Sequence, residues 1–237
     1  MAVISVSGMV SSGKSSLVGI LSDLLEVPAL YEDISKNVFM PLYYENRERY
    51  AFTMQVKMLS DRFKNIKDAS KTRNAILDQD ISADAGAFAL TNYQDGGMTE
   101  YEWDLYKDMS DNMMEELPSW AGEHGKKLPD INIILVTNME RVVNNIRLRG
   151  RESEQFDIGD ETYKYFERLN NNFNNYAENY TKINDIPSLI IDVSKIDFVN
   201  NEQDRDHVLT FIINSLYEND LLSDYEYEKV LNRIKVV

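Results

Sequence analysis

The chain alternates short apolar runs with longer segments in which apolar residues recur every three or four positions. The short runs are typical of buried strands, and the longer segments are typical of amphipathic helices. The pattern predicts strands over residues 2–8, 29–33, 74–80, 131–137 and 188–194. It predicts helices over residues 15–27, 47–69, 99–120, 139–155, 160–183 and 204–218, of which 139–155 runs into a charged turn. This alternation indicates an α/β fold in three layers, with helices on both faces of a parallel sheet of about five strands.

The sequence shows no internal repeat and no linker rich in proline or serine, so residues 1–237 are expected to form one domain. In the helix predicted over residues 47–69, one stripe carries Phe52, Val56, Leu59 and Phe63. The carboxyl-terminal segment 223–237 is either a terminal helix or a dimer contact, and its pattern fits both.

Composition and charge narrow the classes of function. The 237 residues include no cysteine, which excludes disulfides and thiolate metal sites and favours a cytoplasmic setting. No run of about 18 apolar residues predicts a membrane span, and the amino terminus lacks the basic segment of a secretory signal. A net charge of −15 disfavours nucleic acid and anionic membranes as partners. A small anionic ligand remains compatible with this charge, because a few basic residues suffice to line one pocket.

The segment GMVSSGKS, residues 8–15, fits the phosphate-loop pattern G-x-x-x-x-G-K-[ST] at every fixed position. In such a loop the glycines let successive backbone N–H groups point at phosphate oxygens, and the next helix offers its positive end to the same anion. A chance match is the alternative, but the position between a predicted strand and a predicted helix favours the functional interpretation. The candidate nucleotide-binding residues are Gly8, Ser11, Ser12, Gly13, Lys14, Ser15 and Ser16.

Five further segments follow in order: LYED at 30–33, LYYENRERYAFTMQVKMLSDRF at 42–63, ILDQDISADAGAF at 76–88, IRLRGRESEQ at 146–155 and IIDVSKIDF at 190–198. Together with the phosphate loop, they resemble the deoxynucleoside kinase family, especially its bacterial deoxyadenosine kinase branch. The resemblance runs from Met1 to about Leu216. It implies a phosphate-loop kinase fold, ATP as phosphate donor, Mg²⁺ and a homodimer.

The resemblance also implies the roles of residues on the acceptor side. Glu32 takes the position of the general base for the sugar 5′-hydroxyl, although LYED by itself favours an exposed acidic turn. Tyr44 matches a tyrosine that touches the sugar 3′-hydroxyl, and Gln55 and Arg62 match residues that contact the nucleobase. Gln55 and Arg62 are two helical turns apart and therefore share a face. Three apolar residues are candidates either for the nucleobase pocket or for the core: Met54, Phe52 and Phe88.

At the end of the third strand, Asp78 matches an acidic residue that contacts Mg²⁺ together with Ser15. Asp84 matches an aspartate that pairs with Arg62. The chain departs from the family at two positions, because Gln79 stands where arginine is expected and Asp80 stands where serine is expected. A neutral amide lacks the charge of that arginine, and we expect Asp80 to repel phosphate.

A lid is expected around residues 147–158. The resemblance implies that Arg149 and Arg151 clamp the transferring phosphate, since arginine binds phosphate oxygens bidentately, and that Glu154 reaches the sugar 3′-hydroxyl. Asn145 replaces a further arginine, for which either Arg147 or Arg141 substitutes or no residue does, and residues from Asp192 to Phe198 correspond to the loop around the ATP adenine.

The sequence therefore predicts a kinase that transfers the γ-phosphate of ATP to the 5′-hydroxyl of a deoxynucleoside, with deoxyadenosine or deoxycytidine favoured. Two alternatives stay open because of Gln79 and Asp80. One is a related kinase that acts on a nucleoside monophosphate, a modified nucleotide or a DNA base. The other is a non-catalytic nucleotide-binding subunit. His124 and His207 are too isolated to form a zinc site and are expected at the surface.

Overall fold

A computed structural model describes residues 2–32, 37–72, 74–116 and 129–234. Asp33 and His124 therefore lie outside the described residues. The five strands are β1 (Val3–Gly8), β2 (Ala29–Leu30), β3 (Ala75–Asp78), β4 (Ile131–Val136) and β5 (Ser188–Asp192). They form one parallel sheet in the order β2-β3-β1-β4-β5. The predicted three-layer α/β fold with a five-stranded parallel sheet is confirmed.

Nine α-helices are described, and most of them connect successive strands. They are α1 (Lys14–Leu25), α2 (Phe39–Glu45), α3 (Arg47–Thr72), α4 (Ala89–Gln94), α5 (Glu100–Glu116), α6 (Met139–Arg149), α7 (Glu161–Asn184), α8 (Glu202–Glu218) and α9 (Asp224–Ile234). A π-helical turn, Asp84–Phe88, leads into α4, and a 3₁₀ turn, Glu152–Glu154, follows α6. In the parts of the chain that the structure describes, no helix is long and apolar enough to cross a membrane.

The sheet separates two apolar cores. Adjacent residues of β1 point to opposite faces, so that Val3 packs in one core and Ile4 in the other. The first core lies between the sheet and the side of α3 and α7, and the second lies between the sheet and the side of α1, α8 and α9. Since both faces of β1 are covered, all six of its residues are buried.

The longest helix buries a different face from the apolar stripe seen in the sequence. Of that stripe only Leu59 is fully buried, whereas Phe52, Val56 and Phe63 are half-buried. The buried face of α3 includes polar residues, among them Gln55 and Arg62. Hydrophobic periodicity alone misses this face because the interior that it meets is partly polar.

The carboxyl-terminal segment forms a helix, as one of the two interpretations predicted. Helix α9 buries Val230 and Ile234 in the second core. At its end, Arg233 donates hydrogen bonds to the carbonyl oxygens of Leu24 at 2.8 Å and Asp23 at 3.0 Å. A cation at this place satisfies free carbonyl groups at the end of α1 and complements the dipole of that helix.

A buried polar network connects the sheet to α7. Asp80, only 2% exposed, accepts hydrogen bonds from the Ser82 backbone N–H at 2.8 Å and from the Tyr180 hydroxyl at 3.2 Å. On the neighbouring strands, the hydroxyl groups of Ser5 and Ser7 both donate to the Asn132 side chain at 2.8 Å. These contacts satisfy groups that would otherwise be costly to bury.

The first testable prediction concerns the pH dependence of stability. Burial raises the pKa of Asp80 above its ordinary value, so the folded chain binds this proton more tightly than the unfolded chain does. Stability is therefore lost as the pH rises through the raised pKa. In urea unfolding, we expect the free energy of unfolding of the wild type, minus that of Asp80→Asn, to fall as the pH rises from about 4, the ordinary pKa of an aspartate, through the raised pKa.

Asp111→Asn is the matched control, since Asp111 is exposed on α5. Its difference from the wild type should not follow the same trend. A wild-type advantage over Asp80→Asn that stays constant or grows with pH contradicts the prediction.

Candidate active site

The candidate active site is a cavity of about 550 Å³ at the carboxyl edge of the sheet. Parallel strands present their carboxyl ends at one edge, and ligands of such sheets bind in the crevice outside that edge. The structure brings most of the predicted residues into the wall of this cavity: Ser11, Ser12, Gly13, Lys14, Ser15, Ser16, Glu32, Tyr44, Gln55, Arg62, Asp78, Asp84, Arg149, Arg151, Glu154 and Phe198.

The loop between β1 and α1 has the curled backbone that the phosphate-loop motif requires. Ser11 and Gly13 have positive φ angles of 63° and 92°, and α1 begins at Lys14 directly after them. Gly8 does not line the cavity, but a Cβ at Gly8 would lie 2.3 Å from the Ser12 hydroxyl oxygen. The glycine at this position therefore lets the loop fold back on itself.

The adenine-loop candidate closes over the phosphate loop from the side of β5. The Phe198 ring lies so close to Gly13 that a Cβ there would be 2.7 Å from its Cζ atom. Arg205 of α8 fixes this segment by donating to the carbonyl oxygens of Phe198 at 3.0 Å and Val199 at 2.6 Å. Asp192 is exposed and outside the cavity wall, because its carboxylate turns back to accept from the Ser194 N–H at 2.8 Å.

Asp78 at the end of β3 lies beside the start of α1. The Ser15 hydroxyl donates to one of its carboxylate oxygens at 2.7 Å, and the Lys14 ammonium lies 3.5 Å from the other. A hydroxyl and a carboxylate are hard oxygen ligands, and Mg²⁺ is commonly held by one or two such groups together with phosphate oxygens. Ser15 and Asp78 therefore fit the metal role. No group of three or more acidic, His or Cys side chains suited to a metal ion occurs among the described residues.

Glu32, Arg62 and Asp84 form a buried ionic triad opposite the phosphate loop. The Arg62 Nε atom contacts the Glu32 carboxylate, and its Nη1 atom contacts the Asp84 carboxylate. All three side chains are largely buried: Arg62 is 5% exposed, Glu32 9% and Asp84 1%. The Arg62 guanidinium also lies 5.6 Å from the centre of the Phe88 ring. Glu32 is thus not an exposed acidic turn, and it faces the cavity.

The floor of the acceptor side carries apolar groups and a buried amide. Met54 and Phe88 line the cavity, whereas Phe52 does not. Gln55 is 5% exposed, and its Oε1 atom has no hydrogen-bond partner among the described residues. Burial raises the pKa of the Tyr44 hydroxyl, and the charge of Glu154 adds to the effect. This hydroxyl therefore stays protonated and is able to donate.

The candidate lid is tied to the phosphate loop. Arg149 Nη1 donates to the Ser11 hydroxyl at 3.3 Å and lies 3.5 Å from Glu154, while Arg151 donates to Glu154 at 3.1 Å. Asn145 donates to the Ser11 carbonyl oxygen at 2.8 Å. Arg141 and Arg147 are the two proposed substitutes for the missing arginine. Arg141 lines the cavity, whereas Arg147 does not.

Gln79 and Asp80 point to opposite sides of the sheet edge. Gln79, with a φ of 89°, accepts from the Gly8 N–H at 3.3 Å and lines the cavity. The Asp80 side chain lies in the polar network towards α7 and not in the cavity wall. The structure therefore places Asp80 away from the expected phosphate site, because its carboxylate is held by Ser82 and Tyr180.

Sequence reasoning missed Arg205, which holds the adenine-loop candidate through two backbone carbonyl groups. An isolated arginine in an amphipathic helix carries no pattern that marks this role.

Comparisons with known proteins agree on one family. A family model described as deoxynucleoside kinase matches residues 4–218. A deoxyguanosine kinase of Lactobacillus johnsonii is 37% identical over 224 residues, which cover 94% of this chain and 96% of the relative. A deoxyadenosine kinase of Lactobacillus acidophilus is 34% identical over 216 residues, covering 91% and 97%. A solved structure of deoxyadenosine kinase from M. mycoides with bound dATP has a TM-score of 0.72 at 24% identity, covering 89% of this chain and 98% of that one.

The second testable prediction concerns the contact between Gly13 and Phe198. Gly13→Ala adds a methyl group 2.7 Å from the Phe198 ring at a residue with positive φ. We expect ATP affinity to fall about tenfold or more, because the phosphate loop must shift to relieve the overlap. Isothermal titration calorimetry measures the affinity.

Gly159→Ala is the matched control, because Gly159 has nearly the same φ, 93°, but has nothing within 4 Å of an added Cβ. Each substitution should cost roughly 1–2 kcal/mol of stability from the backbone alone. Equal losses of ATP affinity in both variants contradict the contact-specific account.

Proposed function

Because this chain belongs to the deoxynucleoside kinase family and is an enzyme of that activity, we propose that its cavity holds ATP on the phosphate loop and a deoxynucleoside 5′-hydroxyl beside Glu32. The observation that carries this arrangement is that Glu32 and the phosphate loop line the same cavity. A hydroxyl that attacks a γ-phosphate needs a proton acceptor within hydrogen-bond reach. A carboxylate suffices when the transition state is loose.

On the donor side, the loop backbone and Lys14 bind the phosphates of ATP, and the segment that ends at Phe198 covers the adenine. Ser15 and Asp78 would hold Mg²⁺, which neutralises charge on the phosphates when it is bound. Lys14 already lies 3.5 Å from Asp78, so its ammonium group is in place at the same edge. This side of the proposal is supported by the positive φ angles of the loop and by the start of α1 at Lys14.

On the acceptor side, Glu32 takes the proton from the 5′-hydroxyl as that oxygen attacks. Arg149 and Arg151, in the lid over residues 147–158, neutralise the charge that develops on the transferred group. Both now pair with Glu154, which is 5% exposed. We propose that Glu154 and Tyr44 bind the sugar 3′-hydroxyl, with Tyr44 as a protonated donor.

The amide of Gln55 recognises the nucleobase. Its Oε1 atom has no hydrogen-bond partner among the described residues and is suited to accept from the amino group of an adenine or a cytosine. We propose deoxyadenosine or deoxycytidine as the acceptor. Deoxyguanosine is a second candidate, because relatives named deoxyguanosine kinase are 37% identical to this chain.

We propose a homodimer in which α3 and α5 form the contact. Phe52, Val56 and Phe63 of α3 are apolar and only half-buried. On α5, Leu105 is 50% exposed and Tyr101 is 88% exposed. A protein surface that collects this many apolar side chains on neighbouring helices is typical of an interface.

The third prediction tests the general base. Glu32→Gln removes the proton acceptor but keeps the shape of the side chain. We expect the rate of ADP release with a deoxynucleoside to fall about 10²- to 10⁴-fold, with ATP affinity unchanged. A coupled ADP-release assay over the deoxynucleosides and their monophosphates measures it.

Glu167→Gln is the matched control, since Glu167 is an exposed glutamate of α7 outside the cavity. It should keep wild-type turnover. Turnover of monophosphates alone, or full activity of Glu32→Gln, contradicts the proposed function.

The fourth prediction tests the dimer. Val56→Glu places a charge on the proposed contact, and we expect it to shift the mass measured by sedimentation equilibrium from two chains to one, because a buried unpaired charge is costly. Ile183→Glu is the control, since Ile183 is 71% exposed on α7 away from that contact. A monomeric wild type, or equal dissociation in both variants, contradicts the proposal.

A further inference from the structure

We propose that Arg62 is a positioning residue that orients Glu32 for proton abstraction, and that Asp84 holds Arg62 in this place. The inference deepens the proposed function, on which it rests. It gives Arg62 a role in the chemical step that is separate from recognition of the nucleobase. The ionic triad of Glu32, Arg62 and Asp84 carries it.

The geometry fixes Arg62 between two carboxylates. Its Nε atom contacts Glu32 and its Nη1 atom contacts Asp84, so two edges of one rigid guanidinium are engaged. Arg62 comes from α3 and Asp84 from the π-helical turn, and Asp84 is 1% exposed. Glu32 follows β2, and Arg62 links it to α3 and to the π-helical turn. A planar guanidinium constrains direction as well as distance.

The other cations of the cavity wall are engaged elsewhere. Lys14 lies beside Asp78, Arg141 beside Asp197, and both Arg149 and Arg151 beside Glu154. In the described part of the chain, Arg62 is therefore the cation that contacts Glu32. An ionised carboxylate that is 9% exposed needs such a partner, because burial without one disfavours its charge.

The neutral residue Gln79 leaves the orientation of Glu32 to Arg62. Its side chain is 3% exposed and lines the same cavity, but it is neutral. Its Oε1 atom accepts from the Gly8 N–H, and its Nε2 atom has no hydrogen-bond partner among the described residues. Gln79 is therefore neutral and supplies no charge with which to orient Glu32.

The triad has one cation for two carboxylates. The Arg62 guanidinium is shared between Asp84 and Glu32 and does not contact Glu32 alone. Two edges of the Arg62 guanidinium are engaged by these carboxylates. Recognition of the nucleobase is left to the amide of Gln55, whose Oε1 atom has no hydrogen-bond partner among the described residues.

The fifth prediction uses two variants that should act in opposite directions. In Arg62→Gln, Glu32 loses its cation, ionises less readily and is less well oriented. We expect the single-turnover rate of phosphoryl transfer to fall about 100-fold with deoxyadenosine, deoxyguanosine and deoxycytidine alike, and the acidic limb of its pH profile to move to higher pH. In Asp84→Asn, Arg62 is left to Glu32 alone, so the acidic limb should move to lower pH.

The remaining ionisable groups that share the cavity wall with Glu32 are common to both variants, so the opposite shifts report on the triad: Lys14, Tyr43, Tyr44, Asp78, Arg141, Arg149, Arg151, Glu154, Tyr165 and Asp197.

A rescue and a comparison complete the experiment. Adding Gln79→Arg to Arg62→Gln returns a cation to the cavity wall that Glu32 shares, and we expect it to recover the rate at least about tenfold. Gln55→Leu is the comparison, and it should change KM by different factors for the three deoxynucleosides without moving the acidic limb. Calorimetric ATP affinity and urea unfolding confirm that each variant is folded. Arg62→Lys keeps a charge without the planar fork and replaces Arg62→Gln if the latter does not fold.

Three results overturn the inference while the wild type remains active: a loss confined to the KM of one base, an acidic limb that does not move in Arg62→Gln, or shifts of the same sign in both variants. Absence of deoxynucleoside turnover in the wild type itself overturns the proposed function instead, so the two failures are distinguishable.

Discussion

The position of β1 between β3 and β4 is the constraint on which the site depends. Because all three strands are parallel, the loop after β1 and the acidic end of β3 meet at one edge of the sheet. In the ladder, Val6 of β1 lies opposite Asp78 of β3. This register brings the Ser15 hydroxyl within 2.7 Å of Asp78 and sets where the phosphates and their metal would lie.

Two layers of polar contacts hold this edge. On the cavity side, Gln79 contacts the first residue of the phosphate loop, and Asn145 and Arg149 contact Ser11. Beneath the sheet, Asp80 and Tyr180 join the same strand end to α7. The chain thus supports the site from two sides with hydrogen bonds.

The motifs with fixed local spacing were predictable from the sequence, and the features set by tertiary contacts were not. The phosphate loop was predictable because its backbone curl depends on glycines at given positions. The shared face of Gln55 and Arg62 was predictable because it follows from helical spacing. The direction of Asp80, the outward turn of Asp192 and the anchoring role of Arg205 depend on which elements lie next to them, and one sequence does not carry that information.

The central claim is that Glu32 abstracts the proton of a hydroxyl held in front of a phosphate loop. The most direct measurement is a crystal structure of the chain with a non-hydrolysable ATP analogue, Mg²⁺ and a deoxynucleoside. The account predicts the triphosphate on the loop at the start of α1 and a Glu32 carboxylate oxygen about 2.6–3.2 Å from the sugar 5′-oxygen. A triphosphate bound elsewhere, or a Glu32 side chain turned away from that oxygen, would contradict it.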